Sequence, residues 1–421
     1  MISSRIAASS PFAIEIGPYG LSIELFPLSV TLVFVMPKIN PEVLRWARES
    51  SSQSIEEAAG RIGISANRLE QFERGEADPS RNQLEEISRV YRRSMVTFYL
   101  SSPPSLAPRG HDYRQTTDAI TNDYEPDVDA LIRNVKVRQA YLRDALEDEV
   151  EESLRFVGSV SISDGVDNAA GTIEEILSFN LHTFRSHSSP GNAFKYLRTL
   201  IEDIGVFVLL IGDLGSWHTK FDVRVYRGFS IADPIAPLIV INDNDSPVAW
   251  SFTLLHEFCH LVLGNTGISG PIYSRNPVEE FCNAVSSTIL LPESDLLQFS
   301  IDKGWGNNQI LLFIDSQSSD WNISRPMIAL RLYRAGAISR RQWVEISDQY
   351  REEWEAQVRA RRESAKTGNS SGPNRNTLLK RNLGSRTISM VRGLMFQGSL
   401  SISQASTILG VPPARVHQFV G

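Results

Sequence analysis

Cysteine occurs only twice in the 421 residues, as Cys259 and Cys282. That scarcity excludes a disulfide scaffold and fits a reducing compartment, so a cytoplasmic protein is expected. Both cysteines fall in apolar runs, where a free thiol serves as a small buried hydrophobe, and neither is given a role. A long apolar run is also missing near the N-terminus. The stretch "FPLSVTLVFV", Phe26 to Val35, has Glu24 just upstream and no small-residue cleavage site before Met36. It is too short to cross a bilayer, so neither a membrane span nor a secretory leader is expected. Residues 1–40 read as an N-terminal extension, with Met36, which opens "MPKINPEVLRWARES", as a candidate start. Basic charge is not in excess either. A formal net charge of -7 excludes a surface coated for nucleic acid and confines any DNA contact to a local patch.

What is present is a globular composition, 42% hydrophobic and 22% charged, in a chain long enough for two or three cores. From Pro41 to about Leu100 the chain reads as short helices. Ser54 and Glu57 form a capping box, Gly63 breaks the first helix, Ser65 caps "ANRLEQFERG", and Gly75 ends it. Two short helices around a glycine turn predict a helix-turn-helix, assigned to residues 41–103. "SSPPSLAPRG" then marks a linker, followed by a long charged helix from about Val128 to Leu154, within 104–160. Residues 161–300 give helix, short β-branched runs ("VFVLLIG", "VRVYRGFSI", "PLIVIN") and two more helices. The fold class expected is therefore α+β and multidomain. A helical extension (301–360), a polar linker (361–377) and a small helical domain (378–421) complete the chain. "SIEEAAGRIGISANRLEQF" and "SISQASTILGVPPARVHQF" align without gaps, so the last segment is a candidate for a second, degenerate helix-turn-helix, with Pro412-Pro413 shifting the start of its second helix and a packed helical hairpin without DNA contact as the alternative.

The chemistry lies in "FTLLHEFCHLVLG". His256 and His260 are four residues apart, so on a helix both rings point to one side and can hold one ion. Glu257, between them, would stand beside a metal-bound water, which is the H-E-x-x-H zincin pattern. A third ligand is offered by "EEFCNAVSSTILLP". Glu279 and Asn283 share a helix face, and two imidazoles plus one carboxylate leave an open position of the catalytic kind. Glu280 competes, but Asn283 favours Glu279, because a carboxamide one turn on can orient a metal-bound histidine.

The three blocks "RGFSIADPIAPLIVIND", "FTLLHEFCHLVLG" and "EEFCNAVSSTILLP" resemble, in order, those of the ImmA/IrrE family of metallo-endopeptidases, which often carry an N-terminal XRE-type helix-turn-helix. The resemblance runs from about Pro41 to Tyr350. It implies a zincin-like (gluzincin) domain with Zn2+ on His256, His260 and Glu279 and with Glu257 as general base. Phe258-Cys259 and Asn283 depart mildly from the usual pattern, aspartate being common at the latter position. The resemblance also implies limited cleavage of a protein substrate, a helix-turn-helix repressor, with control of transcription as the result. His218, Tyr273 and Arg275 stand as candidates for a second electrophile, and Pro237 to Asn242 as the edge strand to which a substrate backbone adds.

"ISANRLEQFERGEADPSRNQLEEI" resembles the XRE/Cro-like fold, in which the second helix enters the major groove. Asn67, Arg68 and Gln71 would face bases and Arg74 phosphate, so DNA is an expected partner of residues 41–100. Glu70, Glu73 and Glu76 weaken phosphate attraction. The competing reading is a DNA-binding regulator whose zincin-like domain senses a signal without turnover; the intact Glu257 speaks against it.

Overall fold

The computed structural model describes residues 13–17, 20–24, 38–51, 53–104, 111–112, 119–147, 153–215, 219–269, 276–298, 301, 304–366 and 374–420. The chain divides into two compact units, Met1–Pro104 and Ser105–Gly421. The apolar stretch at Phe26 to Val35 lies outside the described residues.

In the first unit β1 (Ala13–Gly17) and β2 (Gly20–Glu24) pair antiparallel. Four helices follow: α1 (Pro41–Glu49), α2 (Ile55–Ile62), α3 (Ala66–Glu73) and α4 (Arg81–Tyr91). The local signals are those of the sequence. Ser54 and Glu57 close a reciprocal capping box at α2, Gly63 ends that helix at φ 81°, and Ser65 accepts the Arg68 amide at the start of α3. Leu44, Ala58, Leu69, Phe72, Ile87 and Phe98 fill the core. One ion pair is buried with them. Arg48 donates from Nε and Nη2 to the two oxygens of Glu73, at 2.7 and 2.9 Å.

The second unit is built on a five-stranded sheet. Its strands are β3 (His111–Asp112), β4 (Phe207–Leu210), β5 (Gly228–Ile231), β6 (Leu238–Ile241) and β7 (Gly267–Ser269), in the order β3-β7-β5-β6-β4. The helices are α5 (Ala119–Glu147), α6 (Val166–Leu177), α7 (Leu181–Arg185), α8 (Pro190–Asp203), α9 (Pro247–Val262), α10 (Pro277–Leu290), α11 (Glu293–Gln298), α12 (Asn307–Trp321), α13 (Arg325–Arg334) and α14 (Arg340–Lys366). Four more close the chain: α15 (Arg375–Leu383), α16 (Ser385–Gln397), α17 (Ile402–Leu409) and α18 (His417–Val420).

Alternation along the strands sorts these helices into two layers, because successive side chains leave opposite faces. Val208, Leu210, Ile239 and Ile241 face α8, α9, α10 and the helices up to α14. Phe207, Leu209, Leu238 and Val240 face α5 and α15 to α18. The sheet is thus buried on both faces, and the parallel strands β4 and β6 are continuous apolar runs for that reason. The C-terminal helices are pinned further by Arg198 of α8, which donates to Glu202 Oε1 at 2.8 Å and to the Arg381 carbonyl, while Glu202 Oε2 accepts from Ser385 Oγ at 2.7 Å.

Three expectations are revised here. The strand at Pro237 to Asn242 is not an edge: β6 pairs parallel with β4 and antiparallel with β5, so both of its backbone rims are used and no substrate strand can add there. Residues Arg361 to Lys366, read as linker, continue α14. The C-terminal repeat forms α17 and a left-handed Gly410, but Pro412 and Pro413 lead into a single 3₁₀ turn and the four-residue α18, where the first copy has a full second helix. Pro412 stands where Ser65 caps α3 in the first copy and offers no side-chain acceptor, so the second helix starts uncapped.

Candidate metal centre and helix-turn-helix surface

The candidate metal site is made where α9 meets α10. Ser246 sits at the N-cap of α9 and Pro247 at its first turn, a position where a missing N–H costs nothing. Every residue from Ala249 to Val262 is buried. The helix is apolar all round rather than two-faced, as befits one enclosed by sheet and helices. Its polar exceptions are therefore costly unless they are used.

His256, His260 and Glu279 are 4%, 0% and 1% exposed, and their ligand atoms converge. His260 Nε2 is 3.1 Å from His256 Nε2 and 2.9 Å from Glu279 Oε1, and His256 Nε2 is 3.3 Å from Glu279 Oε2. Bonds of ~2.0–2.1 Å in a tetrahedral shell put neighbouring donors roughly 3.3 Å apart, so this triangle has the size that one ion requires. Glu279 lies in the first turn of α10, where the helix dipole favours an anion, and Asn276 caps that turn by accepting the Val278 amide at 2.9 Å. Glu280, the competing ligand, is exposed.

The electrostatics follow from that packing. Burial alone would lower the His256 pKa, but the Glu279 carboxylate, its hydrogen bond and the Glu257 charge outweigh burial and raise it to about 9. His260 is lowered, by burial first and by the neighbouring His256, against the Glu279 hydrogen bond. For Glu279 burial works upward, yet the two histidines hold it down to about 2. A carboxylate kept ionised in the interior is ready to serve as a ligand.

Glu257 is 0% exposed and presses on β5. A β-carbon at Gly228 would lie 2.7 Å from Glu257 Oε1 and 2.9 Å from Thr253 Cγ2, so only glycine admits this approach. Sequence reasoning missed Gly228. A glycine inside the strand block "RGFSI" was the available signal. It also missed Cys282, whose Sγ stands 3.8 Å from His260 Nδ1. Both cysteines are free and buried. Asn283 is 3% exposed on α10, but His256 Nδ1 has no hydrogen-bond partner among the described residues, so the carboxamide does not hold that ring. His218, Tyr273 and Arg275 lie outside the described residues.

On the helix-turn-helix, Asn67, Arg68 and Arg74 are exposed and Gln71 half-buried along α3. Arg68 Nη1 donates to Gln71 Oε1 at 3.0 Å and its guanidinium lies over Phe72, 4.8 Å from the ring centre. Arg74 pairs with Glu70 at 2.7 Å. Glu73, counted among the acids that would repel phosphate, is 3% exposed and neutralised by Arg48.

Residues 206–333 match the family model of the IrrE N-terminal-like domain, Peptidase_M78, and residues 42–96 match that of a helix-turn-helix domain, HTH_31. No curated protein and no solved structure matches the chain. The first span contains His256, Glu257, His260 and Glu279, and the second contains α2 and α3. The two matches fall in the order of the ImmA/IrrE architecture with an N-terminal helix-turn-helix, to which the sequence is similar.

Proposed function

We propose that the protein is a zinc-dependent endopeptidase of the cytoplasm that cleaves a helix-turn-helix repressor and so controls transcription. The observation that carries the reading is the buried triangle of His256 Nε2, His260 Nε2 and the Glu279 carboxylate inside the M78 match. These residues fit zinc: two imidazoles and one carboxylate at the spacing of a single tetrahedral shell, with a position left over. When bound, the ion supplies Lewis acidity toward a water and toward the scissile carbonyl. Glu257 takes the proton of the attacking water and passes it to the amine nitrogen as the C–N bond breaks. Gly228 sets where that carboxylate stands. Asn283, buried one turn after Glu279 on α10, is assigned to support the ligand cluster. Among the described residues no helix is long and apolar enough to cross a membrane. Asn67, Arg68, Gln71 and Arg74 form the surface proposed to meet DNA.

Glu257→Gln tests the reading against that of a sensor without turnover. The variant should keep its zinc while cleavage falls at least about 100-fold, since the residue moves a proton and holds no metal. Zinc loss in this variant would contradict the role given to Glu257, and wild-type protein with zinc that cuts no co-expressed repressor would support the sensor.

A further inference from the structure

A cavity lies on the face of the sheet opposite the histidines. Its volume is about 540 Å³, and it opens at the carboxyl ends of the parallel strands β4 and β6, between Asp213, Asp243 and the C-terminal helices α15 and α17. Small molecules commonly bind at such strand ends, and the volume falls in the usual range for small-molecule sites.

Arg138 of α5 lines it. Its Nε donates to Asn134 Oδ1 at 2.7 Å, one turn back on the same helix, and no carboxylate pairs with it among the described residues. The two buried arginines Arg48 and Arg198 are treated differently: Arg48 has Glu73 and Arg198 has Glu202. Arg138 is half-buried, and partial burial with no opposing charge beside it lowers its pKa to about 10. Nor do the cavity's two acids pair with it: Asp213 Oδ1 accepts the Gly215 amide at 2.7 Å. Asp243 is already engaged by Arg381 at 3.2 Å and Asn382 at 3.1 Å. Space is kept for the guanidinium by Gly410, which has φ 64° and where a β-carbon would lie 2.9 Å from one Nη. With Nε occupied, the two Nη groups are left to meet a planar, two-oxygen acceptor. Leu378, Leu379 and Leu409 supply apolar wall beside them.

We infer that this cavity binds a small organic carboxylate, its two oxygens on the Arg138 guanidinium and its apolar body against the leucines of α15 and α17. Arg375 also lines the cavity and, with Arg138, balances Asp213 and Asp243, so the lining as a whole is near neutral and a monoanion is preferred to a phosphate dianion.

Isothermal calorimetry on the full chain, with octanoate as probe, tests this. Octanoate should bind with submillimolar Kd, 1-octanol and octylamine at least tenfold more weakly, and Arg138→Gln should weaken octanoate at least tenfold. Without ligand that variant should melt no lower than the parent, since an uncompensated charge is removed. If it nevertheless fails to fold, Leu379→Trp, which fills the cavity and keeps the arginine, must weaken octanoate equally. Equal binding of octanol, or octanoate binding untouched by Arg138→Gln, would overturn the proposal. So would octanoate binding that disappears when metal is chelated, which would place it at the histidines. Arg138-dependent binding of inorganic phosphate in place of octanoate would overturn the carboxylate assignment.

Discussion

Glu257 and Gly228 are in direct packing contact, the carboxylate lying where a side chain on the strand would otherwise stand, with 2.7 Å between Oε1 and an added β-carbon. Gly228→Ala should therefore push Glu257 off its position without touching a ligand. Overpacking of this kind costs about 1–3 kcal/mol of stability. Misplacing a catalytic group by about 1 Å can cost on the order of 100-fold in rate. The expected result is a folded variant with full metal content and kcat reduced by about that factor. Unchanged kcat would mean that the carboxylate need not stand against β5.

On the helix-turn-helix, Arg68 is held toward Gln71 and Arg74 toward Glu70, which separates their expected effects on DNA. Arg68→Ala should relax sequence preference at one base pair and cost about 1–3 kcal/mol, whereas Arg74→Ala should weaken all sequences alike and reduce the salt slope by about 1. Binding titrations at several salt concentrations measure both. Identical effects would undo the assignment of α3 to the groove, and no binding at low salt would turn the module toward protein recognition.

If that module recruits substrate, deleting residues 41–100 should reduce cleavage of a whole repressor at least tenfold more than cleavage of a short peptide spanning its cut site. The ratio of the two kcat/KM values reads this directly. Equal loss on both substrates, or none on either, would assign the module to DNA alone.

Much of this was legible in local pattern. The caps at Ser54 and Ser65, the helical spacing of His256 and His260, and the choice of Glu279 over Glu280 all depend on residues within one or two turns, and the structure shows each of those helices and the buried convergence of the three side chains. What escaped depends on partners far along the chain. Pro237 to Asn242 has the composition of any buried strand, and only its pairing with both β4 and β5 shows that it is interior. Glu73 looks like a surface acid until Arg48, on another helix, is placed beside it. The docking of α15 to α18 on the sheet rests on Arg198 and Glu202, about 180 residues away, as the separation of Arg198 from Arg381 shows.

The most direct test is the metal content of purified protein, measured by mass spectrometry for the parent, Glu279→Ala and Glu280→Ala. An open three-ligand site has no spare protein donor. The parent and Glu280→Ala should each carry about one zinc per chain and Glu279→Ala almost none. A parent that takes up no zinc on reconstitution, or zinc lost from Glu280→Ala and kept by Glu279→Ala, would contradict the site.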